Sequence, residues 1–243
     1  MKFSATVSNL AQFDALKHMD FRHFYVPIYV LLSNLNTFVG TTALGRPPVI
    51  ISPPAIILDN KWDKYLQKLN KCRKSGFDNL QIHNLSGLSH SPDFKLYGSA
   101  KLNVFNDLAL KFWREQGLSL IQPSVELNLG QLKHMKSDVP IEVIGYGRIP
   151  VMTVENCPVN GNRHITDRLN VKFPVIADGS CGVVLNSKPI VMSDKLNDMK
   201  SIDVVNLYFT VESPGECVRV ANCCFGGKPL EIDFTRGHFY KGV

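Results

Sequence analysis

The chain has 243 residues, of which 44% are hydrophobic and 20% are charged, a composition that is typical of globular proteins and argues against disorder. Its longest apolar run, residues 24–32, is about half as long as a membrane-spanning helix, so we expect no membrane association. The net charge of +6 and the isoelectric point near 9.0 favour a polyanionic partner such as RNA, although a basic surface that only keeps the protein in solution would carry the same charge.

The start of the chain and its cysteines indicate the compartment. Residues 1–7 alternate between apolar and polar positions like a strand, and they lack the apolar core and cleavage site of a secretory signal. The six cysteines are too few and too unevenly spaced for a disulfide scaffold in a chain of this length. We therefore expect a cytoplasmic protein whose cysteines are reduced thiols or metal ligands.

Eight short runs rich in β-branched and aromatic residues predict strands. They are 2–7, 23–28, 49–57, 79–83, 95–104, 118–125, 141–144 and 204–211. Helices are predicted between them at 9–19, 59–75, 107–116 and 128–136. Gly76 and Gly117 stand where a glycine commonly ends a helix, each just before the next strand.

This alternation predicts parallel strands with right-handed crossovers. Because the length suits such a fold and no dinucleotide-binding glycine motif is present, we expect an α/β protein with a TIM-like (β/α)8 barrel that forms one domain over residues 1–243. Between residues 145 and 200 the alternation breaks, and prolines separate short β-like pieces. We expect a β-rich insertion there, after the seventh strand, on the carboxyl-terminal face where barrel enzymes carry their sites.

Reactive residue types gather at the start of this insertion. Residues 145–159 contain two glycines, the cation Arg148, the carboxylate Glu155 and the thiol Cys157, directly after a predicted strand. A barrel places reactive groups at such a position.

Six segments in and beyond this region have a recognisable order. They are Tyr146–Met152, Asn156–Pro158, Asp167–Arg168, Lys172–Val175, Leu185–Pro189 and Thr235–Val243. Their order and spacing resemble the collagenase-like peptidase family, peptidase family U32. The resemblance also includes Gly98–Ala100, Asn103–Asn106 and Ser124–Leu127, and so extends over most of the chain. It implies a β/α barrel. It also implies one of two chemistries, because members are labelled peptidases, while several hydroxylate an RNA base or a quinone precursor without oxygen and carry an iron-sulfur cluster on four cysteines.

The resemblance aligns Cys157 with the first cluster cysteine and Cys181 with the last, which makes both candidate metal ligands. Residues 160–166 stand in place of the expected pair between them, and a cluster needs four thiolates. Two of Cys217, Cys223 and Cys224 would have to complete the ligand set.

The alternative role for Cys157 is that of a nucleophile. It would need a base within hydrogen-bond reach, and His83, His164 and His238 are the candidates.

Four charged residues join Cys157 as expected catalytic groups. They are Glu126, Arg148, Asp167 and Arg168. An arginine fork binds phosphate or carboxylate bidentately, and a carboxylate just past a strand end commonly faces a barrel site. The alternative is that Arg148 and Arg168 pair with Asp167 or Glu126 and only hold the insertion against the barrel.

Polar side chains elsewhere predict the groups that bind substrate. They are His83, Asn103, Asn106, Asn156 and His238. Neutral polar groups around a rim suit hydrogen bonding to a substrate or to a nucleobase edge. The alternative for the asparagines is a role in turns and helix caps, and for His238 it is packing of the chain end.

Three functions follow from these observations. The first is a hydroxylase-type enzyme that modifies RNA or a small aromatic molecule, and the second is a peptidase with an activated thiol or water. The third is a noncatalytic accessory or binding subunit that has lost the cluster and works beside a partner subunit of the same family.

Overall fold

The structure of the chain, a computed structural model, describes residues 1–42, 47–90, 92–155 and 164–242. It contains twelve strands in the described residues. They are β1 (Lys2–Thr6), β2 (Phe24–Pro27), β3 (Val49–Ser52), β4 (Asn79–Ile82), β5 (Lys95–Gly98), β6 (Glu142–Gly147), β7 (Pro150–Val154), β8 (His164–Thr166), β9 (Lys172–Asp178), β10 (Cys181–Leu185), β11 (Ile190–Val191) and β12 (Val204–Tyr208).

Eight of these strands form one curled sheet, in which seven strands are parallel. The strand order is β11-β6-β12-β1-β2-β3-β4-β5, in which only β11 runs antiparallel to its neighbour. Seven of the eight predicted strand positions are thus confirmed. Parallel strands need crossover connections, and the alternation of strands with helices supplies them.

The predicted strand at 118–125 is reduced to one bridged residue. Ile121 makes a parallel bridge to Gly98, at the end of β5, and another to Ile141, just before β6. Pro123, two residues further on, has no N–H to continue a ladder of hydrogen bonds. The segment around Ile121 therefore makes single bridges to residues at the end of β5 and just before β6 without forming a regular strand.

The described residues contain seven α-helices. They are α1 (Leu10–Leu16), α2 (Ile28–Ser33), α3 (Leu35–Thr42), α4 (Trp62–Lys74), α5 (Asp107–Glu115), α6 (Leu129–His134) and α7 (Pro214–Phe225). The predictions of α1, α4, α5 and α6 are confirmed, and Gly76 and Gly117 follow α4 and α5 with φ of 88° and 82°. This left-handed backbone is what a helix-ending glycine provides.

Three helices were not predicted, and α7 has a local signal that was overlooked. Ser213 accepts a hydrogen bond from the backbone of Glu216, and the Glu216 side chain bonds back to Ser213, with Pro214 at the first helical position. This is a capping box at a helix start. By contrast, α2 is the apolar run Ile28–Ser33 directly after β2, and such a run is read as strand or helix with equal ease.

The main core lies between the sheet and the helices. Phe13 of α1 packs against Phe24 of β2 and Phe38 of α3, with ring centroids 5.2 Å and 4.5 Å apart. Cys217 and Cys224 lie on the buried side of α7, and burial raises the pKa of each thiol to about 12. The five cysteines within the described ranges are free thiols.

The region predicted as a β-rich insertion forms a second sheet. Its strand order is β7-β10-β9-β8, and all three strand pairs are antiparallel. It follows β6, which continues to Gly147 and so extends past the predicted start of the insertion at residue 145. Within the described part of the chain, no helix has the length and apolar character needed to cross a membrane.

Gly147, where the chain leaves the first sheet, is held in a conformation that only glycine tolerates well. Its φ is 134°, and a Cβ there would lie 2.3 Å from the carbonyl oxygen of Tyr208. We predict that Gly147→Ala lowers the free energy of unfolding by about 2 to 4 kcal/mol, because both the backbone and the contact become strained.

Chemical denaturation measures this change, and Gly215→Ala is the matched control. Gly215 lies in the first turn of α7, where an added Cβ meets nothing within 4 Å, so its variant should stay within about 0.5 kcal/mol of the unmodified chain. Equal stability of the two variants would contradict the assigned geometry at Gly147.

Candidate functional site

The carboxyl ends of β4 and β5 bring His83 and Ser99 into contact. His83 follows β4, Ser99 follows β5, and the two strands are parallel neighbours. Nδ1 of His83 lies 2.7 Å from Oγ of Ser99, and Nε2 lies 3.0 Å from the carbonyl oxygen of Pro53, which follows β3. Both ring nitrogens are therefore engaged by groups at neighbouring strand ends.

These contacts fix the tautomer of His83. A carbonyl oxygen only accepts hydrogen bonds, so Nε2 must carry a proton and donate it to Pro53. Burial and the nearby charge of Lys101 lower the pKa of His83 to about 3, against an opposing effect of the bond to Pro53. The ring is therefore neutral at physiological pH, Nδ1 is an acceptor, and the Ser99 hydroxyl donates to it.

A short 3₁₀ turn, Ala100–Leu102, places an amine beside this pair. Ser99 caps the turn, because its Oγ accepts a hydrogen bond of 3.3 Å from the backbone N–H of Lys101. Burial lowers the pKa of the Lys101 amine, while the acidic groups of Asp178 and Cys181 oppose this shift. The turn thus brings a hydroxyl and an amine to one strand end, within electrostatic range of the second sheet.

The second sheet reaches this rim through its β9–β10 turn, Asp178–Ser180, which we call the hairpin tip. Oδ2 of Asp178 accepts a hydrogen bond of 3.1 Å from the N–H of Ala55. Lys61 donates one of 2.8 Å to Oγ of Ser180. At Gly179, with φ of 64°, a Cβ would lie 2.8 Å from the Pro54 side chain. The hairpin tip therefore sits against the segment that follows β3.

Beneath the rim, the concave face of the first sheet is polar. The Glu142 side chain is fully buried, and its Oε2 lies 2.9 Å from His23 Nε2 and accepts a hydrogen bond of 2.7 Å from Ser4. Gln122 donates to Oε1, and Asn206 donates to the Ser4 hydroxyl over 2.9 Å.

His23 adjoins β2 and Glu142 begins β6, and these two strands are three places apart in the strand order. Their side chains can touch only because the sheet curls. Burial would raise the pKa of Glu142, but the charge of His23 and the hydrogen bonds to the carboxylate outweigh it and hold the pKa below its usual range. An ionised carboxylate therefore lies inside the fold.

Arg148 is bound by the backbone and not by a carboxylate. Its Nη1 donates to the carbonyl oxygens of Asn186, over 3.1 Å, and Ser187, while its Nε is buried without a hydrogen-bond partner among the described residues. The alternative of an ion pair with Asp167 or Glu126 is therefore wrong. The guanidinium instead ties the segment after β6 to the segment after β10.

Asp167, Arg168 and Glu126 lie on the surface, apart from the rim pair. Asp167 accepts hydrogen bonds from the N–H groups of Leu169 and Val171, at 2.8 Å and 2.9 Å, in the turn between β8 and β9. Arg168 is exposed in the same turn, and β8 lies two strands from β10, about 10 Å at normal strand spacing. Glu126 is exposed in the turn before α6. Their catalytic roles stay predictions.

The predicted substrate-binding residues divide into two groups. His83 lies in the site, whereas Asn106 accepts from Ala109 N–H as the cap of α5, which favours the alternative of a helix cap. Asn103 ends the 3₁₀ turn in left-handed conformation, with φ of 53°. His238 is exposed near the chain end, and Asn156, like the catalytic candidate Cys157, lies outside the described residues.

The described cysteines do not fit an iron-sulfur cluster. Cys181 is buried in β10 of the second sheet, whereas Cys217 and Cys224 are buried on α7 in the main core. A cluster needs four thiolates that converge on one point. In the described ranges, no three His, Cys, Asp or Glu side chains converge in a way that could hold a metal ion.

Sequence reasoning missed Ser99 and Lys101 as site residues, and it missed the interior network around Glu142. A signal for the network was present. Strands of a parallel sheet are normally apolar on both faces, yet Gln81 and His83, Tyr97 and Ser99, and Ser4 and Thr6 put polar residues at alternate positions. Such alternation indicates that one face of the sheet is polar.

Comparison with known proteins identifies one matching family and two solved structures with a similar fold. The model of peptidase family U32 matches residues 32–168, and among curated proteins none matches the sequence. The U32 peptidase Mk0906 has a similar structure, with a TM-score of 0.56 and 9% identity over 88% of this chain and 95% of that chain. Thiamine phosphate pyrophosphorylase from Pyrococcus furiosus is also similar, with a TM-score of 0.51 and 7% identity over 93% of this chain and 96% of that one. At such identities the two structures share the fold alone.

The depressed pKa of His83 predicts a specific loss of stability in acid. Between its ordinary pKa of about 6.5 and the folded value of about 3, the unfolded chain binds a proton that the folded chain does not, so stability falls as the pH falls through this window. We expect His83→Gln to lose about 2 kcal/mol less than the unmodified chain between about pH 7 and about pH 4.5. Urea denaturation at both pH values measures this difference, and parallel losses in the two proteins would contradict it.

Proposed function

The chain belongs to peptidase family U32, and from this premise we propose that it hydrolyses peptide bonds at the rim formed by the ends of β3, β4 and β5. The observation that carries the proposal is the contact of 2.7 Å between Ser99 Oγ and Nδ1 of a neutral His83. A hydroxyl that donates to an imidazole, whose other nitrogen is held by a third group, is the arrangement that activates a serine nucleophile. Here that third group is the Pro53 carbonyl.

The proposal includes a closed (β/α)8 barrel as the scaffold. The bridges from Ile121 to Gly98 and Ile141 support a short sixth strand that joins β5 to β6. If the segment around Ile121 counts as the sixth strand, β6 is the seventh strand of the barrel, and the second sheet is an insertion after it. His83 and Ser99 then belong to the carboxyl-terminal face, where barrel enzymes carry their catalytic groups.

The reaction would proceed through an acyl-enzyme. Ser99 Oγ attacks the carbonyl carbon of the peptide bond, and its proton passes to Nδ1 of His83. The tetrahedral intermediate collapses, the C–N bond breaks, and His83 returns the proton to the leaving amine. Water then attacks the ester on Ser99 by the same route and releases the acid. Lys101, within electrostatic range of His83, supplies positive charge near the developing oxyanion.

The low pKa of His83 sets a condition on this chemistry. A neutral imidazole can accept the Ser99 proton, but with a pKa of about 3 it is a weak base in the resting protein. An oxyanion that forms beside the ring would favour the protonated form and raise that pKa. Proton transfer would therefore occur together with the attack on the carbonyl and not before it.

The proposal includes a movement of the hairpin tip that admits the substrate. Ser99 is only 4% exposed, and the hairpin tip is held against the rim by the bonds from Ala55 to Asp178 and from Lys61 to Ser180. Both bonds are partly or fully at the surface, where a single hydrogen bond contributes little. Displacement of the hairpin tip by substrate is a small change of the kind that often gates barrel enzymes.

Large apolar side chains beside the rim suit a peptide substrate. Tyr29, Ile56 and Leu85 follow β2, β3 and β4 in turn, and they are 45%, 46% and 62% exposed. Because these strands are neighbours, the three side chains would lie along one side of the site and contact an apolar residue of the substrate.

The RNA partner stays a prediction, and one feature of the surface is compatible with it. Five exposed lysines follow one side of α4 and of the turn before it, namely Lys61, Lys64, Lys68, Lys71 and Lys74. A row of positive charges attracts a phosphate backbone without regard to sequence. A row of this kind is also common on solvated helices, so the peptidase reaction has the stronger support.

The proposal predicts that a fluorophosphonate probe, which phosphonylates activated serines with loss of fluoride, modifies Ser99. Ser99→Ala should abolish this labelling and reduce peptide hydrolysis by about a thousandfold or more, because the nucleophile is lost. His83→Gln should act in the same direction, because no base remains to take the hydroxyl proton. Peptide mass spectrometry locates the label, and a set of peptides with different apolar residues measures turnover.

Ser89→Ala is the matched control, since Ser89 is an exposed serine whose hydroxyl donates to the Ser86 carbonyl oxygen. Labelling and turnover of this variant should equal those of the unmodified chain. Turnover that survives Ser99→Ala but is blocked by a thiol reagent would replace Ser99 with the Cys157 nucleophile.

A further inference from the structure

Gln122 connects the buried Glu142 to the turn that carries Ser99. Its side-chain Nε2 donates to Oε1 of Glu142, and its Oε1 accepts a hydrogen bond of 3.2 Å from the N–H of Ala100. The backbone of Gln122 is itself fixed, because its N–H donates to the Gly98 carbonyl oxygen over 2.9 Å. The side chain is 5% exposed, so solvent hardly competes for either contact.

The charge on Glu142 sets the direction of the Gln122 amide. An ionised carboxylate only accepts hydrogen bonds, and its Oε2 is already bound by Ser4 and lies against His23. The amide NH2 must therefore face Oε1, which turns the amide oxygen toward Ala100. The reversed amide would set an oxygen against the carboxylate and an NH2 against the Ala100 N–H, and both contacts would be repulsive.

The bond to Ala100 acts on the geometry of the site. Ala100 is the first residue of the 3₁₀ turn, and the next N–H, that of Lys101, is bound by Ser99 Oγ. With the Ala100 N–H held from below by Gln122, the turn keeps the Ser99 hydroxyl directed at His83. Loss of the Gln122 contact would leave an N–H at the start of the turn without an acceptor.

We propose that Glu142 is a positioning residue, which orients the Gln122 amide and thereby holds the Ser99–Lys101 turn in its active geometry. Neither residue touches the substrate. The inference deepens the proposed function and rests on it for its effect on turnover, whereas its effect on the turn can be measured independently.

The test exchanges the two side chains. Glu142→Gln removes the charge with little change of shape and leaves the Gln122 amide free to turn over. In the double variant with Gln122→Glu, the new carboxylate accepts from Ala100 and from the amide at position 142, so the original polarity returns. The measurements are amide hydrogen exchange at Ala100, followed by NMR, and the separate kcat and KM of peptide hydrolysis.

We expect Glu142→Gln to speed exchange at Ala100 by about tenfold and to lower kcat by about tenfold, with KM within about twofold, and the exchanged pair to recover most of both losses. Ser4→Ala is the matched control, because it removes a hydrogen bond from the same carboxylate without touching Gln122, and it should leave exchange at Ala100 unchanged. If Glu142→Gln does not fold, Gln122→Met removes the acceptor of Ala100 while Glu142 keeps its other partners, and the same rise in exchange is expected.

Unchanged exchange at Ala100 in a folded Glu142→Gln or Gln122→Met variant would overturn the proposal. Failure of the exchanged pair to recover protection would overturn it as well. An unmodified chain that hydrolyses no peptide, in which exchange at Ala100 still responds as described, would refute the peptidase function and leave the positioning role in place.

Discussion

The carboxylate of Glu142 is the constraint on which the curled sheet depends. It is fully buried, and its partners Ser4, His23 and Gln122 come from β1, from the residue before β2 and from the segment around Ile121. A buried charge without partners costs several kcal/mol, so these segments must approach one another for the carboxylate to be satisfied. The polar interior therefore specifies how far the sheet curls, and apolar packing on the outer face stabilises the result.

The rim is built on this interior. Gln122 connects the polar interior to the rim, because its side chain bonds to Glu142 in the interior and to the Ala100 backbone at the rim. The second sheet completes the rim from the other side, where the hairpin tip lies against Ala55 and Pro54. Glycine at 147 and 179 permits the two close approaches on which this arrangement depends. The site is thus made by residues that are far apart in the sequence.

Sequence patterns predicted the helix ends and strands whose conformation depends on the residues at those positions. Gly76 and Gly117 end helices because a left-handed backbone is required there, and β-branched runs form the strands. The apolar run at α2 lacked any such signal. His83 was found because it ends a strand, whereas Ser99 was missed because its importance depends on a contact with His83 across two strands.

The bond between Ser4 and Glu142 joins residues 138 positions apart, and no periodicity reveals such a pairing. The four expected charged catalytic residues Glu126, Arg148, Asp167 and Arg168 were chosen by residue type, and the contacts found for Arg148 and Asp167 are with backbone groups. Family membership identifies the fold, but it does not name the groups that perform the chemistry.

The proposed nucleophile requires a neutral His83 that accepts the proton of the Ser99 hydroxyl. Nitrogen-15 NMR of the imidazole at neutral pH tests it most directly, because the shifts of the two ring nitrogens distinguish the tautomers and the charged form. We expect a neutral ring with the proton on Nε2 and an acceptor at Nδ1. A protonated ring, or a neutral ring with its proton on Nδ1, would mean that Ser99 does not donate to His83 and would contradict the proposed nucleophile.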